Sequence, residues 1–114
     1  MTRILIADHN PASRSALALL LSTRLGACMI GEASSMECLL GQAATMQPDT
    51  VLLDWELPGK PETDRISVIR SVVPGARVVV VSARPEAAVQ AAGADAFVNK
   101  TDPPERITQL FKER

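Results

Sequence analysis

Asp8, Asp54, Ser82 and Lys100 are the residues of this chain whose types could act together, because each stands at or just past the end of a short apolar run. The runs are Ile4-Leu5-Ile6-Ala7, Val51-Leu52-Leu53, Val78-Val79-Val80-Val81 and Ala96-Phe97-Val98. Taken singly, each polar residue has an ordinary structural explanation: an Asp after a strand caps or turns the chain, a Ser donates locally, a Lys is solvated. Taken together, two carboxylates, a hydroxyl and an ammonium on one rim can hold a metal ion and offer a nucleophilic carboxylate. They can also neutralise the oxygens of a transferring phosphoryl group.

That combination requires elements that bring the four positions to one edge. The apolar runs alternate with stretches of helical character. After Asp8, Asn10 offers a cap and Pro11 a first helical residue; Leu17, Leu20, Leu21 and Leu25 mark one face, and Gly26 a stop. Cys28-Met29-Ile30 reads as a second strand, followed by Ser34-x-x-Glu37, a capping-box pattern. Met36, Leu39, Leu40 and Ala43 then recur at helical spacing until Pro48. Beyond Asp54, a Pro58-Gly59 turn leads to a helix carrying Ile66, Ile69 and Val73, stopped by Pro74-Gly75. Val78 to Val81 is a continuous β-branched strand. An Ala-rich helix is predicted from Pro85 to Ala92. Asp102 is predicted to cap a last helix opened by Pro103-Pro104 and buried along Ile107, Leu110 and Phe111.

Strands that are apolar throughout are covered on both faces, as in a parallel sheet between helices. Alternating βα units with right-handed crossovers build such a sheet. The expectation is one three-layer, doubly wound α/β domain over residues 1–114, with ligands bound beyond the carboxyl ends of its strands.

Composition removes other classes. Twelve basic residues face thirteen acidic ones for a net charge of -1, and Lys and Arg nowhere cluster, which argues against a nucleic-acid surface. The longest apolar stretch, Ala16 to Leu21, is far too short to cross a bilayer, and no secretory leader pattern opens the chain. A cytoplasmic chain with no membrane partner is expected. Cys28 and Cys38 have neither metal-ligand spacing nor a C-x-x-C arrangement and read as reduced core thiols.

The segments around the four polar residues resemble response-regulator receiver domains of bacterial two-component systems. Ile4-Leu5-Ile6-Ala7-Asp8-His9-Asn10-Pro11 is similar to their first strand and acidic loop. Pro48 to Asp54 followed by Leu57-Pro58-Gly59 is similar to their phosphoacceptor segment. Val78 to Ala83 and Gly93 to Lys100 resemble their fourth and fifth strands, so the likeness runs over essentially the whole chain. It implies a flavodoxin-like (βα)5 topology with strand order 2-1-3-4-5. It also implies that Asp54 accepts a phosphoryl group from a sensor histidine kinase, a phosphotransfer protein or a small phosphodonor. Asp8, Asp54 and the Glu56 backbone carbonyl would hold Mg2+, Lys100 would pair with phosphoryl oxygens, and Ser82 and Phe97 would form the switch. Partners would be the kinase, an effector domain or separate output protein, and a second copy in a homodimer. The chain would be a phosphoacceptor switch assisting its own phosphotransfer and dephosphorylation, not a turnover enzyme.

The sequence also departs from that pattern. His9 stands where the family has a second acid, a direct Mg2+ ligand; magnesium prefers oxygen, whereas imidazole suits softer transition metals. His9 is expected to be a solvated loop residue, with Glu56 a candidate for the missing carboxylate. Glu56 and Arg84, two residues after Asp54 and Ser82, flank the pocket as solvated side chains or as a pair across its mouth. The segment between Ser82 and Lys100 is about one helical turn short, and Lys60-Pro61-Glu62 replaces a further family Gly. His9 feeds the alternative of a pseudo-receiver that binds partners without phosphorylation. A flavodoxin-type flavin domain and a dehalogenase-like phosphatase share parts of the pattern, but the first needs a Ser/Thr/Gly phosphate loop. The second needs an Asp where Glu56 stands.

Overall fold

The computed structural model describes residues 2–26 and 28–112, so Met1, Ala27, Glu113 and Arg114 of the expected domain lie outside the described residues. Its elements are β1 (Thr2–Ala7), α1 (Pro11–Leu25), β2 (Cys28–Ala33), α2 (Met36–Met46), β3 (Thr50–Asp54), α3 (Arg65–Val72), β4 (Arg77–Ser82), α4 (Ala87–Gln90), β5 (Ala96–Asn99) and α5 (Glu105–Lys112). The strands form one parallel sheet in the order β2-β1-β3-β4-β5. From β1 the chain winds outward to β2, then crosses back to place β3 on the other side. The crevice of this fold therefore opens between the carboxyl ends of β1 and β3, where Asp8 and Asp54 emerge.

Period-two alternation along the buried strands divides the core. Ile4, Ile6, Leu52, Val79 and Val98 face Leu21 of α1 and Ile107 and Leu110 of α5. Leu5, Ala7, Val51, Leu53, Val78 and Val80 face Met36, Leu39 and Ala43 of α2 and Ile66 and Ile69 of α3. Each large apolar side chain so enclosed contributes about 1.5–3 kcal/mol relative to exposure, which is why the strands carry apolar residues on both faces. The α/β class, the three layers and the strand order all agree with the sequence reading.

Local signals succeeded where a single residue decides the geometry. Asn10 Oδ1 accepts from the amides of Ala12 and Ser13 at 2.9 and 3.2 Å, with Pro11 as first helical residue, and Gly26 ends α1 at φ 73°. Other details differ. Ser35, not Ser34, caps α2 by accepting from the Cys38 amide, and Glu37 does not close a capping box because its carboxylate accepts from the Lys60 amide instead. β2 runs on to Ala33, paired throughout with β1. α2 stops at Met46 because Gln47 adopts a left-handed conformation before Pro48. α4 is a single turn, not the helix predicted from Pro85: tight turns from Arg84 and Pro85 precede it and Gly93, at φ 103°, follows. Asp102 does not cap α5; its carboxylate turns back to the Asn99 amide at 3.2 Å. Both cysteines are free and half-buried. Among the described residues, no helix is long and apolar enough to cross a membrane.

Candidate functional site

The first strand delivers Asp8 into a short self-braced loop. Its amide continues the β1–β2 ladder by donating to the Ala33 carbonyl, and Asp8 Oδ1 accepts from the Asn10 amide at 2.9 Å. That Asx-type turn leaves His9 at its apex. Arg14, one turn into α1, donates to the Asp8 carbonyl at 2.7 Å and pairs with Glu32 at 3.2 Å, tying the loop to both flanking elements.

Asp54 ends β3 and is only 2% exposed. Its Oδ1 accepts from the Glu56 amide at 3.0 Å, which fixes the carboxylate plane and leaves Oδ2 to other partners. Lys100 supplies the nearest: Nζ lies 3.1 Å from Asp54 Oδ2 and 4.0 Å from Asp8 Oδ2. The lysine is held in place because its own amide donates to the Ser82 carbonyl, continuing the β4–β5 pairing past Ser82 and Asn99.

His9 comes closer than a solvated loop residue need. Its side chain is 54% exposed, yet Nδ1 lies 3.6 Å from Asp54 Oδ2 and 3.8 Å from Asp8 Oδ1. Asp8, His9 and Asp54 each offer a ligand atom, and those atoms all fall within 4.8 Å of one another.

Glu56 and Arg84 form a bidentate pair, with Nε and Nη2 donating to the two carboxylate oxygens at 3.1 and 2.9 Å. Glu56 Oε1 also accepts from the Ser82 hydroxyl at 2.8 Å. The Arg84 hydrogen bond, with help from Ser82 and opposed by partial burial, holds the Glu56 carboxyl below the usual carboxylate range, and Glu56 raises Arg84 in turn. Glu56 is thus not the missing metal carboxylate: its oxygens are committed to Ser82 and Arg84, and it is not part of the Asp8–His9–Asp54 cluster. Nor are the two pocket-flanking side chains simply solvated. The pair bridges the two flanking positions and, being exposed, is screened by solvent. Phe97 is half-buried on β5, opposite Val80, and packs against the α2–α3 side of the core.

Two supporting roles escaped the sequence reading. Arg65, 6% exposed, donates to the carbonyls of Pro61 at 2.8 Å and Gly59 at 3.0 Å, trussing the loop that follows Asp54. Glu37 receives the Lys60 amide of the same loop. Gly59 has φ 106°, a conformation that side-chain-bearing residues rarely adopt, so the turn calls for glycine; a Cβ there would also displace the Glu37 carboxylate, 2.6 Å away. Helical spacing places Arg65 four residues before Ile69 and eight before Val73, on the core face, but a charged side chain argues for solvent, and nothing in the sequence marks the carbonyls that meet it.

A parallel 2-1-3-4-5 sheet with a buried aspartate, a second carboxylate, a hydroxyl and a lysine at its carboxyl rim defines the receiver class of phosphoacceptor folds. The family model for the response regulator receiver domain matches residues 4–112, and the chain belongs to that family. It is 40% identical over 80 residues to a protein-glutamate methylesterase/protein-glutamine glutaminase 2 of Cereibacter sphaeroides, covering 70% of this chain and 21% of that protein. It is 33% identical over 114 residues to the nitrate/nitrite response regulator protein NarL of Escherichia coli, covering 96% of this chain and 53% of that protein. The chain therefore spans about half or less of the length of these relatives. Among solved structures, a CheY-like receiver domain protein of Methanospirillum hungatei superposes with a TM-score of 0.85 at 25% identity, over 99% of this chain and 92% of that one.

Proposed function

We propose that this receiver domain accepts a phosphoryl group on Asp54 from a sensor histidine kinase or phosphotransfer protein. The modification then switches its contacts with an effector domain, a separate output protein or a second copy. The observation that carries the reading is Lys100 Nζ at 3.1 Å from the Oδ2 of an almost fully buried Asp54. A buried carboxylate is costly unless paired, and an ammonium on the open side of it is placed to meet incoming phosphoryl oxygens.

In the transfer, an Asp54 carboxylate oxygen attacks the phosphorus of a phosphohistidine. The P–N bond breaks with its electron pair going to the imidazole nitrogen, and an acyl phosphate forms on Asp54. Lys100 balances the negative charge left on the phosphoryl oxygens. Ser82, on the strand beside β3, exchanges its bond to Glu56 for one to the phosphoryl group, and Phe97 on β5 follows the vacated space. The carboxylates of Asp8 and Asp54 with the His9 imidazole fit a divalent cation, to which the Glu56 carbonyl would add a further ligand. A bound cation would supply further neutralisation of the transferring group. The chain thus assists its own phosphorylation and hydrolysis but turns over no separate substrate.

The position of His9 favours a second reading, a pseudo-receiver that binds partners without phosphorylation, because the imidazole occupies the mouth between the two aspartates. Intact-mass measurement after incubation with a divalent cation and a small phosphodonor separates the two. A gain of one phosphoryl mass, lost in Asp54→Asn, supports the receiver. An unchanged mass with retained partner binding supports the pseudo-receiver, and equal labelling of the Asn variant moves the nucleophile elsewhere.

A further inference from the structure

We infer that Asp8, His9 and Asp54 form a mixed nitrogen–oxygen cation site that takes a first-row transition dication in preference to Mg2+, with His9 Nδ1 as a direct ligand. The inference deepens the proposed function and rests on it only in placing the ion beside Asp54.

The geometry comes first. Ligand atoms about 2.1 Å from a shared ion stand roughly 3.0–3.6 Å apart for angles between a right angle and 120°. Nδ1 lies 3.6 Å from Asp54 Oδ2 and 3.8 Å from Asp8 Oδ1, and the three ligand atoms lie within 4.8 Å of one another, so side-chain adjustment would close them on one ion. The carboxylates are also held in advance: Asp8 by the Asn10 amide, Asp54 by the Glu56 amide, each through Oδ1. Half-exposed as it is, the imidazole has room to turn away, yet it sits with Nδ1 toward both acids.

The chemistry sets the preference. Mg2+ binds through hard, anionic oxygens and sheds water reluctantly, so exchanging a carboxylate for a neutral nitrogen weakens it. Later first-row dications gain from imidazole, increasingly from Mn2+ to Co2+ and Ni2+. Lys100 works against any cation here, at 3.1 Å from Asp54 Oδ2. Glu56 brings no compensating charge, since its carboxylate is bound to Ser82 and Arg84. With only two acids opposed by a nearby ammonium, the nitrogen–metal bond decides which ion stays.

Calorimetric titration of the full chain with MgCl2, MnCl2 and CoCl2, with the visible absorption of bound Co2+ recorded alongside, tests this directly. The wild type should bind Co2+ at least ~10-fold more tightly than Mg2+, with Mn2+ between them. His9→Asp should tighten Mg2+ and shift the Co2+ absorption toward an all-oxygen spectrum; His9→Ala should lose the Co2+ preference. The inference is overturned if wild type and His9→Ala bind Co2+ equally with the same spectrum, or if the wild type binds Mg2+ as tightly as His9→Asp. An ion bound equally well by Asp54→Asn would sit elsewhere and overturn it too. Failure of phosphorylation alone, with the His9-dependent selectivity intact, would instead count against the phosphoacceptor reading.

Discussion

Ser82 donates its hydroxyl hydrogen to Glu56 Oε1 at 2.8 Å, while Arg84 grips the same carboxylate from the other side and its amide donates to Ser82 Oγ at 3.0 Å. The hydroxyl expected to reach a phosphoryl group is thus engaged with a competing anion. Any move toward Asp54 must break a hydrogen bond to a charged acceptor. The pocket rim and the proposed switch residue are one hydrogen-bonded unit.

Glu56→Ala should release that hydroxyl while leaving the backbone carbonyl in place. Removing that bond should favour the occupied state by about 1 kcal/mol, or ~5-fold in affinity for beryllofluoride. Trp55 fluorescence can follow the titration, because Trp55 is the single Trp of the chain and adjoins Asp54. An unchanged or weaker affinity would mean that the Glu56 bond does not hold Ser82 back.

Lys100→Ala should fold but lose ~1–2 kcal/mol, more than the ~0.5 kcal/mol of a solvated lysine, because it strands the carboxylate of Asp54. For a domain of this size that is a fall in Tm of roughly 5–10 °C. Adding Asp54→Asn should recover most of the loss by removing the stranded charge. If the single variant melts with the wild type, the 3.1 Å pair contributes nothing to stability.

Arg65→Ala should be the more damaging arginine substitution, at ~2–3 kcal/mol, because it leaves loop carbonyls unpaired around a buried gap. Arg65→Lys should recover little, since one ammonium cannot span the carbonyls of Pro61 and Gly59 as a guanidinium fork does. Urea denaturation of both variants beside Arg84→Ala gives the comparison; equal midpoints for all three would refute the trussing role.

Glu37 gives the β3–α3 loop a pH dependence of definite sign. The amides of Glu37 itself and of Lys60 hold its carboxyl below the ordinary value of 4.5. A depressed folded pKa stabilises above the ordinary value, and the contribution is lost as pH falls through the depressed one. The Lys60 amide proton should therefore titrate in NMR spectra with an apparent pKa under 4.5, and Glu37→Gln should abolish the transition. A Lys60 amide that ignores acid in the wild type would show that the 3.2 Å bond does not persist.

The sequence by itself determined the order of elements, the burial of both sheet faces and the four residues at the carboxyl rim. Each of these follows from short-range rules: alternation along strands, helical spacing, and Asn10-Pro11 or Gly26 at a boundary. Only the tertiary structure decided how the charges are shared. Glu56 meets Ser82 and Arg84, 26 and 28 residues on, leaving His9 to face the two aspartates. Arg65 shares the core-facing spacing of Ile69, and only the fold supplies the carbonyls of Pro61 and Gly59 that satisfy its charge there. A side chain's partner across the sheet depends on strand register, loop path and rotamer together. Periodicity reports which way a residue faces, and it carries no information about which of several nearby charges will meet it there.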